Sequence, residues 1–569
     1  MSVPTPADLV FVNGSVLTVD RESTVASALA VTGRTIGAVG DRSTVAGHIG
    51  PTTRVIDLRG GTLLPGINDP HLHGCHFGLT TPPLSLDTGH PRVRSLAEIA
   101  DAVRQAAART PAGSWITGGG WDAGLLQECA ADPSRLPTRH DLDEAAPAHP
   151  VLLQDVTGHA CWANSAALAR AGVDRDTQAP PGGTIVTDAV GEPTGLFREG
   201  AQALIQSAVP PPTVQLRAEA LRLALATLRE LGITSYTEPG LGPGGDTMSG
   251  GSMGTDTLAA YRTLLAAGEL TARVTVLLLP TGLSSTARDF ADALDGLADA
   301  VHSPDPRLLN IPGVKVFADG IPPNESSWMH EPYVGGGCGA LAVAGENDAD
   351  RTAELREIIR IAHAAGHQLG IHVTGDRGVD TVVDALIDAA ARHPRTDPRH
   401  YLIHGDFASA SSLRRLARHG FGLTMNPGVK WAVADMVGDF VGPERAAYEF
   451  PYRTALDAGV RVTSSSDAPV AFPDWRQGIA TMLTRQTRSG RVSGADQRIG
   501  LDEALRTYTV DAAWQDFADD WKGSLEVGKA ADLCVLGGDL LHTAPHDIPS
   551  LPVTLTVFDG RVVHEADEG

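Results

Sequence analysis

The sequence of 569 residues has few cysteines, a deficit of positive charge and no long apolar run. No uninterrupted apolar stretch approaches the roughly 20 residues that a membrane-spanning helix requires. The first residues, MSVPTPADLVF, lack a basic region followed by an apolar run, so they do not predict a secretory signal. These absences favour a cytoplasmic protein without a membrane partner.

The cysteines and the net charge exclude further classes of protein. Five cysteines are scattered along the chain and never stand in CxxC spacing, which argues for a reducing compartment and against a zinc site built from thiolates. The net charge of −23 disfavours nucleic acid as a partner, because nucleic acid is itself an anion. A small-molecule substrate is the partner that we expect.

Short strand patterns are concentrated at the two ends of the chain. Residues 9–12 and 15–19 flank Asn13-Gly14, a dipeptide typical of β-hairpins because both central positions need positive φ. Neither end holds enough strands for a stable sheet. Residues 1–61 and 520–569 are therefore predicted to pair into one small β-sandwich domain, and two separate hairpins are the alternative.

The middle of the chain alternates helical and strand patterns, which is typical of an α/β protein with parallel strands. Eight apolar runs predict eight strands, at 62–67, 233–236, 273–279, 313–318, 369–373, 401–403, 421–425 and 461–465. Eight such units predict a closed (β/α)8 TIM barrel over residues 62–519. An open doubly wound sheet is the alternative, but the sequence has no GxGxxG or Walker loop to anchor a nucleotide.

A large insertion follows the first predicted barrel strand. Residues 80–211 include the segments SWITGGGWDAG, DVTGHACWANSAAL and GEPTGLFREG. Loops at the carboxyl ends of barrel strands build the active sites of this fold. We therefore expect the insertion to sit over the mouth of the active site.

Residue types that bind metals stand where several predicted strands end. His71 and His73 follow the first strand, and residues two apart in extended backbone face the same way. His372 ends the fifth strand, His404 the sixth, and Asp467 follows the eighth. Because these ends meet on one face of a barrel, the five side chains are predicted to form one metal site. Separate hydrogen-bonded residues at the barrel rim are the alternative.

The order HxH, Lys, His, His, Asp along strands one, four, five, six and eight resembles the metal-dependent amidohydrolase superfamily. The matching stretches run nearly end to end: LLPGINDPHLHG, GVKVFADG, IHVTGDR, SSSDAPV and GSLEVGKAADLCVL. GGGWD, GHACWANSAAL and GEPTGLFREG further resemble the subgroup of N-substituted formamide deformylases, in amidohydrolase family 3.

This resemblance implies a hydrolase that cleaves a non-peptide C–N bond, such as that of an N-formyl or N-acyl amine, by attack of a hydroxide bridging two metal ions. Zinc is the metal expected for such donors. The implied ligands are His71, His73, His372, His404, Asp467 and a carboxylated Lys315 that bridges the two ions. A plain lysine paired with Asp319 or Asp467, and a single zinc ion, are the alternatives. A homodimer is the family-level expectation.

The resemblance also bears on the reaction. Asp467 would accept the proton of the attacking hydroxide and pass it to the departing nitrogen. Deaminases of the superfamily carry a glutamate where this chain has Gly375, which argues against that chemistry. The same metal site could serve ester or lactone hydrolysis, decarboxylation or isomerisation, and a non-catalytic metal-binding protein is the remaining alternative.

Four further side chains are candidates for contact with the substrate. His159 is a candidate catalytic residue that hydrogen-bonds the substrate carbonyl or its oxyanion, although it could instead pack the insertion. Trp121 and Asp122 are candidates for the pocket wall, with a structural tryptophan as the alternative. Asn426, after the seventh strand, is predicted to donate a hydrogen bond to the substrate.

Overall fold

The computed structural model describes residues 6–132, 134–156, 158–180, 182–246 and 253–567. The chain divides into two compact units. Residues 1–74 and 224–569 form the first, here called the barrel unit, and residues 75–223 form the second, called the insertion unit. No helix within the described ranges is long and apolar enough to span a bilayer.

From residue 6 onward, the barrel unit begins with eight strands and one short helix. They are β1 (Leu9–Val12), β2 (Ser15–Leu17), β3 (Val25–Ala26), β4 (Ala28–Thr32), β5 (Thr35–Gly40), α1 (Arg42–Ala46), β6 (Arg54–Asp57), β7 (Thr62–Pro65) and β8 (Ile67–Asp69).

In its described residues the insertion unit holds six strands and six helices, and a seventeen-residue helix, α8, leads back to the barrel unit. They are α2 (Gly74–Leu79), β9 (Leu86–Asp87), α3 (Leu96–Ala107), β10 (Ile116–Trp121), α4 (Gln127–Ala131), α5 (Arg139–Asp143), β11 (Val151–Asp155), β12 (Ala160–Ala163), α6 (Ser165–Ala171), β13 (Thr184–Thr187), β14 (Pro193–Arg198), α7 (Ala203–Gln206) and α8 (Val214–Glu230).

The rest of the barrel unit alternates strands and helices before three closing strands. The strands are β15 (Ile233–Leu241), β16 (Arg273–Leu278), β17 (Leu309–Phe317), β18 (Gln368–Val373), β19 (Tyr401–His404), β20 (Gly422–Met425), β21 (Arg461–Ser464), β22 (Leu533–Leu536), β23 (Val553–Phe558) and β24 (Arg561–Glu565). The helices are α9 (Thr255–Ala267), α10 (Ala287–Asp295), α11 (Asp348–Ala364), α12 (Asp376–Arg392), α13 (Ala410–Arg418), α14 (Pro427–Val441), α15 (Pro443–Tyr448), α16 (Tyr452–Asp457), α17 (Trp475–Thr484), α18 (Leu501–Thr507) and α19 (Val510–Gln515).

Both ends of the chain join in a β-sandwich, as the strand patterns predict. One sheet has the order β5-β4-β1-β6, and the other has the order β24-β23-β22-β7-β2-β3. Strands β22 and β7 pair antiparallel, so the C-terminal strands extend a sheet that the N-terminal strands begin. Apolar side chains from both sheets, among them Phe11, Leu63 and Leu533, form one buried cluster. Two independent hairpins are thus excluded.

The hairpin predicted at Asn13-Gly14 is wrong. Strand β1 pairs with β4 and β6, whereas β2 pairs with β3 and β7, so the turn carries the chain from one sheet to the other. Asn13 does adopt the positive φ expected of such a turn, at 61°. Gly14 does not have a positive φ, so only half of the expected turn conformation is present, and long-range packing decides the partners of each strand.

The barrel consists of eight parallel strands in the order β21-β20-β19-β18-β17-β16-β15-β8, which confirms the predicted (β/α)8 fold. The first strand differs from the prediction at 62–67. Thr62–Pro65 belongs to the β-sandwich, and only Ile67–Asp69 pairs within the barrel. The break falls at Gly66, where an added Cβ would lie 2.1 Å from the Thr234 side-chain oxygen. One continuous apolar run therefore serves two domains.

The insertion unit is built around its own six-stranded sheet, of order β13-β14-β12-β11-β10-β9. Strands β9, β10 and β11 are parallel, and β12 runs antiparallel to β11. Trp121 and Trp162 meet edge to face in its core, with ring centroids 6.0 Å apart. The insertion is therefore a folded unit with a separate core rather than an extended loop.

A pair of buried histidines in the barrel unit makes the stability of the fold depend on pH. Leu369 N donates to His400 Nδ1 at 3.0 Å, which leaves His400 Nε2 to donate to His363 Nδ1 at 2.7 Å. His363 Nε2 in turn donates to the His393 carbonyl at 2.7 Å. Each N–H in this row of hydrogen bonds faces one acceptor. Protonation of either imidazole would therefore place two N–H groups opposite each other.

Burial lowers the pKa of both His363 and His400, and the positive charge of Arg395 acts in the same direction. Below about pH 6.5 the unfolded chain therefore binds more protons than the folded one, and stability falls as the pH drops. We expect the loss in melting temperature between about pH 7.5 and about pH 5 to be smaller for His363→Gln than for the wild type. His542→Gln, at a side chain that is 82% exposed, should keep the wild-type dependence; equal slopes for all three proteins would contradict this account.

Candidate metal centre

The carboxyl ends of four barrel strands and the segment after β8 carry the six predicted ligand residues. Lys315 lies in β17, His372 in β18, and His404 is the last residue of β19. Two backbone hydrogen bonds join the segments after β8 and β21: Asp467 N donates to the His71 carbonyl, and His73 N to the Ala468 carbonyl, each at 2.9 Å. The loops that carry three of the ligands are thereby held against each other.

Five of these side chains, the four histidines and Asp467, lie in one cluster. The Nε2 atoms of His71 and His73 lie 3.2 and 3.3 Å from Asp467 Oδ1. Ligand atoms of His71, His404 and Asp467 all fall within 4.8 Å of one another, and the ring centroids of His404 and His372 are 4.6 Å apart. Separate rim residues, the alternative left open by the sequence, would not meet in this way.

The spacing of these atoms fits a small divalent cation. Two donors about 2.0–2.1 Å from one tetrahedral zinc ion lie about 3.4 Å apart. The separations of Asp467 Oδ1 from the two Nε2 atoms are 3.2 and 3.3 Å, close to that value. Imidazole nitrogen and carboxylate oxygen are also donor types that zinc prefers. The residues present therefore fit the implied metal.

Hydrogen bonds at the outer side of two rings indicate which nitrogen would face a cation. His372 Nε2 lies 3.1 Å from the Gly320 carbonyl, an acceptor only, so this nitrogen carries the proton and Nδ1 keeps its lone pair. His404 Nδ1 lies 2.7 Å from Asn426 Oδ1, which leaves Nε2 of His404 directed inward. The two rings thus present opposite nitrogens.

The electrostatics of the cluster favour neutral imidazoles beside an ionised carboxylate. Burial and the charge of Lys315 hold the pKa of His71 well below its ordinary value, and burial, followed by the charge of His404, does the same for His372. Burial lowers the pKa of His404 to about 4. Burial alone would raise the pKa of Asp467, but His71 and His73 hold it well below its usual range. Deprotonated donors are what a divalent cation requires.

Lys315 differs from the other lysines of the chain, which has only four. Lys430, Lys522 and Lys529 lie 2.9, 2.7 and 3.1 Å from the carboxylates of Glu449, Asp516 and Glu526. Lys315 is 2% exposed, and its Nζ lies 5.0 Å from the centroid of the Phe317 ring. Burial lowers the pKa of its amine to about 7. The predicted alternative, an ion pair with Asp319 or Asp467, is not found within 4.0 Å in the described part of the chain.

Two buried carboxyl groups organise the backbone around the ligands: Asp69, which the sequence analysis does not name, and Asp319, which it names only as a possible partner of Lys315. Asp69 Oδ1 accepts hydrogen bonds from Ser466 N at 3.1 Å and from His71 N at 3.4 Å. Asp319 accepts from three backbone N–H groups, including Thr374 N at 2.9 Å, two residues after a ligand. The signal available in the sequence was their position beside ligand motifs, in NDPHLHG and VFADG.

Asn426 has contacts other than the predicted hydrogen bond to a substrate. It is fully buried, its Oδ1 faces His404, and its Nδ2 donates to Ser465 Oγ at 2.8 Å. These bonds favour a role in supporting the His404 ring over direct contact with a substrate.

Two of the predicted ligands have a strained backbone. His404 and Asp467 adopt positive φ values of 74° and 59°. This conformation costs non-glycine residues energy and is typical of functional sites.

The remaining predicted residues meet within the insertion unit. Trp121, Asp122 and His159 line one cavity of about 260 Å³, together with Arg198 and Glu199. His159 Nδ1 lies 3.0 Å from Glu199 Oε1. Trp121 is only 3% exposed and its Nε1 donates to the Leu153 carbonyl, so its polar end is occupied within the core. The cavity lies where the parallel strands β10 and β11 end, the usual position of ligand crevices in open α/β sheets.

Comparison with known proteins agrees with the fold. The amidohydrolase family model matches residues 54–564. An N-substituted formamide deformylase of Arthrobacter pascens is 31% identical over 560 residues, which cover 98% of each chain.

Two solved structures share the fold. An uncharacterized metal-dependent hydrolase from Pyrococcus horikoshii superposes with a TM-score of 0.72 at 21% identity, covering 95% of this chain and 99% of that one. An atrazine chlorohydrolase of Arthrobacter aurescens, solved in complex with zinc, has a TM-score of 0.52 at 15% identity, covering 98% of this chain and 95% of that one. The chain is a hydrolase of C–N bonds other than peptide bonds. It belongs to the amidohydrolase family.

Proposed function

We propose that this protein hydrolyses the C–N bond of a small N-formyl or N-acyl amine, with two divalent metal ions, most simply zinc, held by the cluster. The observation that carries this proposal is the meeting of two imidazoles and one carboxylate at zinc-like donor separations in the barrel unit. The related deformylase acts, by its name, on N-substituted formamides, which supports this substrate class.

The residues that would hold the metal ions divide into two sets. His71, His73 and Asp467 form the first, because the Nε2 atoms of both histidines lie 3.2 and 3.3 Å from Asp467 Oδ1. His372 Nδ1 and His404 Nε2 form the second, because their other nitrogens are engaged outward. Lys315, once its neutral amine has taken up CO₂ as a carbamate, would supply an oxygen donor to each set. Bound metal would lower the pKa of a water molecule and polarise the substrate carbonyl.

Asp467 is the proton carrier in this proposal. Its carboxylate is ionised, since His71 and His73 keep its pKa well below the usual range, although burial acts the other way. It can therefore take a proton from the attacking water and later donate it to the departing nitrogen, which must leave as an amine. Asp69, which accepts from Ser466 N next to it, keeps the Asp467 loop in place.

We further propose that the insertion unit contributes to substrate recognition through the cavity at the end of β10 and β11. Its wall combines apolar side chains with Asp122, His159, Arg198 and Glu199, the mixture typical of small-molecule pockets. Glu199 accepts from Nδ1 of His159, so Nε2 of the doubly protonated ring would donate to the substrate carbonyl or its oxyanion. Trp121 would support this wall from the core side.

The test is a substrate panel measured on metal-free and zinc-reconstituted protein. N-substituted formamides, N-acyl amines, lactams and esters are incubated with each form, and amine, acid and alcohol products are quantified. We expect amine release from the formamides or acyl amines by the reconstituted protein only. Ester cleavage without amide cleavage would favour ester hydrolysis as the reaction of this metal centre. No turnover of any substrate by protein with a full complement of metal would contradict an enzymatic role.

A further inference from the structure

We propose that Asn426 is a positioning residue that selects the tautomer of His404, so that Nε2 of His404 is available to bind a metal ion. This inference rests on the proposed metal centre, although its test does not depend on the hydrolysis of any substrate. A neutral imidazole carries one N–H, and only the ring nitrogen without it can bind a cation. The group that faces the outer nitrogen therefore decides whether the inner one is a ligand.

The geometry around His404 identifies that group. Asn426 Oδ1 lies 2.7 Å from His404 Nδ1, and both residues are buried. The carbonyl oxygen of an amide accepts and never donates, so this contact requires the proton to be on Nδ1. On the other side of the amide, Nδ2 donates to Ser465 Oγ at 2.8 Å. Strand β20 thereby supports a ligand on the neighbouring strand β19 without supplying a ligand itself.

The position of Asn426 in the fold makes this contact unusual. The residue precedes Pro427, the first residue of α14, and occupies the N-cap position of that helix. Asparagine is among the preferred residues there, because its side chain normally accepts from N–H groups of the first turn. In this protein the Asn426 side chain makes no capping hydrogen bond and is directed to His404 and Ser465 instead. Helix α14 therefore lacks a side-chain cap from Asn426, and the His404 ring has a fixed hydrogen-bond partner instead.

Ser465 can serve either orientation of the amide, since a hydroxyl both donates and accepts. If the amide turned over, Nδ2 would face His404 Nδ1, the ring proton would move to Nε2, and the metal-binding nitrogen would be lost. His372 has no such freedom, because its partner is the backbone carbonyl of Gly320. Of these two histidines, only His404 can therefore change its tautomer when the side chain that faces it turns over.

Three variants separate tautomer selection from simple packing. Asn426→Asp keeps an acceptor and removes the donor, so it should fix His404 in the Nδ1–H form and retain metal binding. Asn426→Leu keeps approximate volume but removes the acceptor, and we expect about 10- to 100-fold weaker metal binding. Ser465→Ala removes the support of the amide while leaving Oδ1 opposite the ring, and a smaller loss is expected.

The experiment combines two measurements on protein labelled with ¹⁵N-histidine. Nitrogen chemical shifts of His404 in the metal-free protein report the tautomer, and competition with a zinc chelator reports affinity and stoichiometry. We expect the Nδ1–H form in the wild type and in Asn426→Asp, and a mixture in Asn426→Leu with weaker zinc binding. An Nε2–H form in the wild type, or zinc binding by folded Asn426→Leu equal to that of the wild type, would overturn the proposal.

If Asn426→Leu fails to fold, the wild-type tautomer and Asn426→Asp still decide the matter. An Asp variant that loses the second metal ion would count against tautomer selection, since its acceptor is intact. Absence of hydrolysis on the substrate panel, with tautomer and affinity as expected, would remove the proposed function and leave this inference in place.

Discussion

Replacing Asp467 by asparagine is expected to lower kcat by about 10²- to 10⁴-fold, the usual contribution of a positioned proton carrier. The amide cannot hold the proton of the attacking water, but it keeps an oxygen near the position of Oδ1, 3.2 Å from His71 Nε2. The four histidines and Lys315 remain, so most of the bound metal should remain as well. Activity should fall far more than metal content.

The measurement pairs kcat on the best substrate of the panel with metal content determined on the same preparation. Asp439→Asn, an exposed position on α14, serves as a control for the loss of one negative charge and should behave as wild type. Near-normal turnover by Asp467→Asn would exclude this residue as the proton carrier. A parallel loss of metal and activity would assign it to metal binding alone.

Replacing Lys315 by methionine should reduce the number of tightly bound metal ions from two to one or fewer and lower kcat by on the order of 10³-fold. The reason is that Lys315, unlike the other three lysines, has no carboxylate of the described residues within 4.0 Å, and burial lowers the pKa of its amine to about 7. A neutral amine can take up CO₂, and the resulting carbamate is stabilised by the cations that it bridges. Methionine has similar volume but cannot form this group.

Two comparisons make the Lys315 prediction specific. Reconstitution of the wild type in buffer depleted of CO₂ should be slower than in buffer with added bicarbonate, whereas the variant should show no such difference. Lys522→Met breaks a buried ion pair with Asp516 at 2.7 Å, so it should lose roughly 3–5 kcal/mol of stability while its metal stoichiometry stays at two. Two metal ions in Lys315→Met would contradict the bridging role.

The barrel could be predicted because its signals are local and repeated. Each of the seven later strands is a short apolar run between helical patterns, and the structure places a parallel strand at every one of them. The predictions that were wrong concern elements whose strand partners are distant in the sequence. Asn13 has the turn conformation expected of it, yet the two flanking strands lie in different sheets. Residues 62–65 have the composition of a barrel strand, but pairing with β22 and β2 places them in the β-sandwich.

The metal centre was likewise predictable only in part. Side chains of ligand type at strand ends were visible in the sequence, because position along a barrel strand determines the face on which a residue lies. The groups that orient the ligands were not, since Asn426 meets His404 across 22 residues and Asp69 meets Ser466 across 397. Asn426 stood out only as a polar residue after a strand, which suggested contact with the substrate. Its burial and its two hydrogen bonds favour a supporting position instead.

The most direct test of this account is a crystal of zinc-reconstituted protein with diffraction data collected on both sides of the zinc absorption edge. The account predicts two anomalous peaks about 3.5–4 Å apart, one beside His71, His73 and Asp467 and the other beside His372 and His404. Additional density should extend from Lys315 Nζ between them. No anomalous peak among these side chains after reconstitution, or peaks only elsewhere on the protein, would contradict the assignment of the centre and the hydrolysis proposed from it.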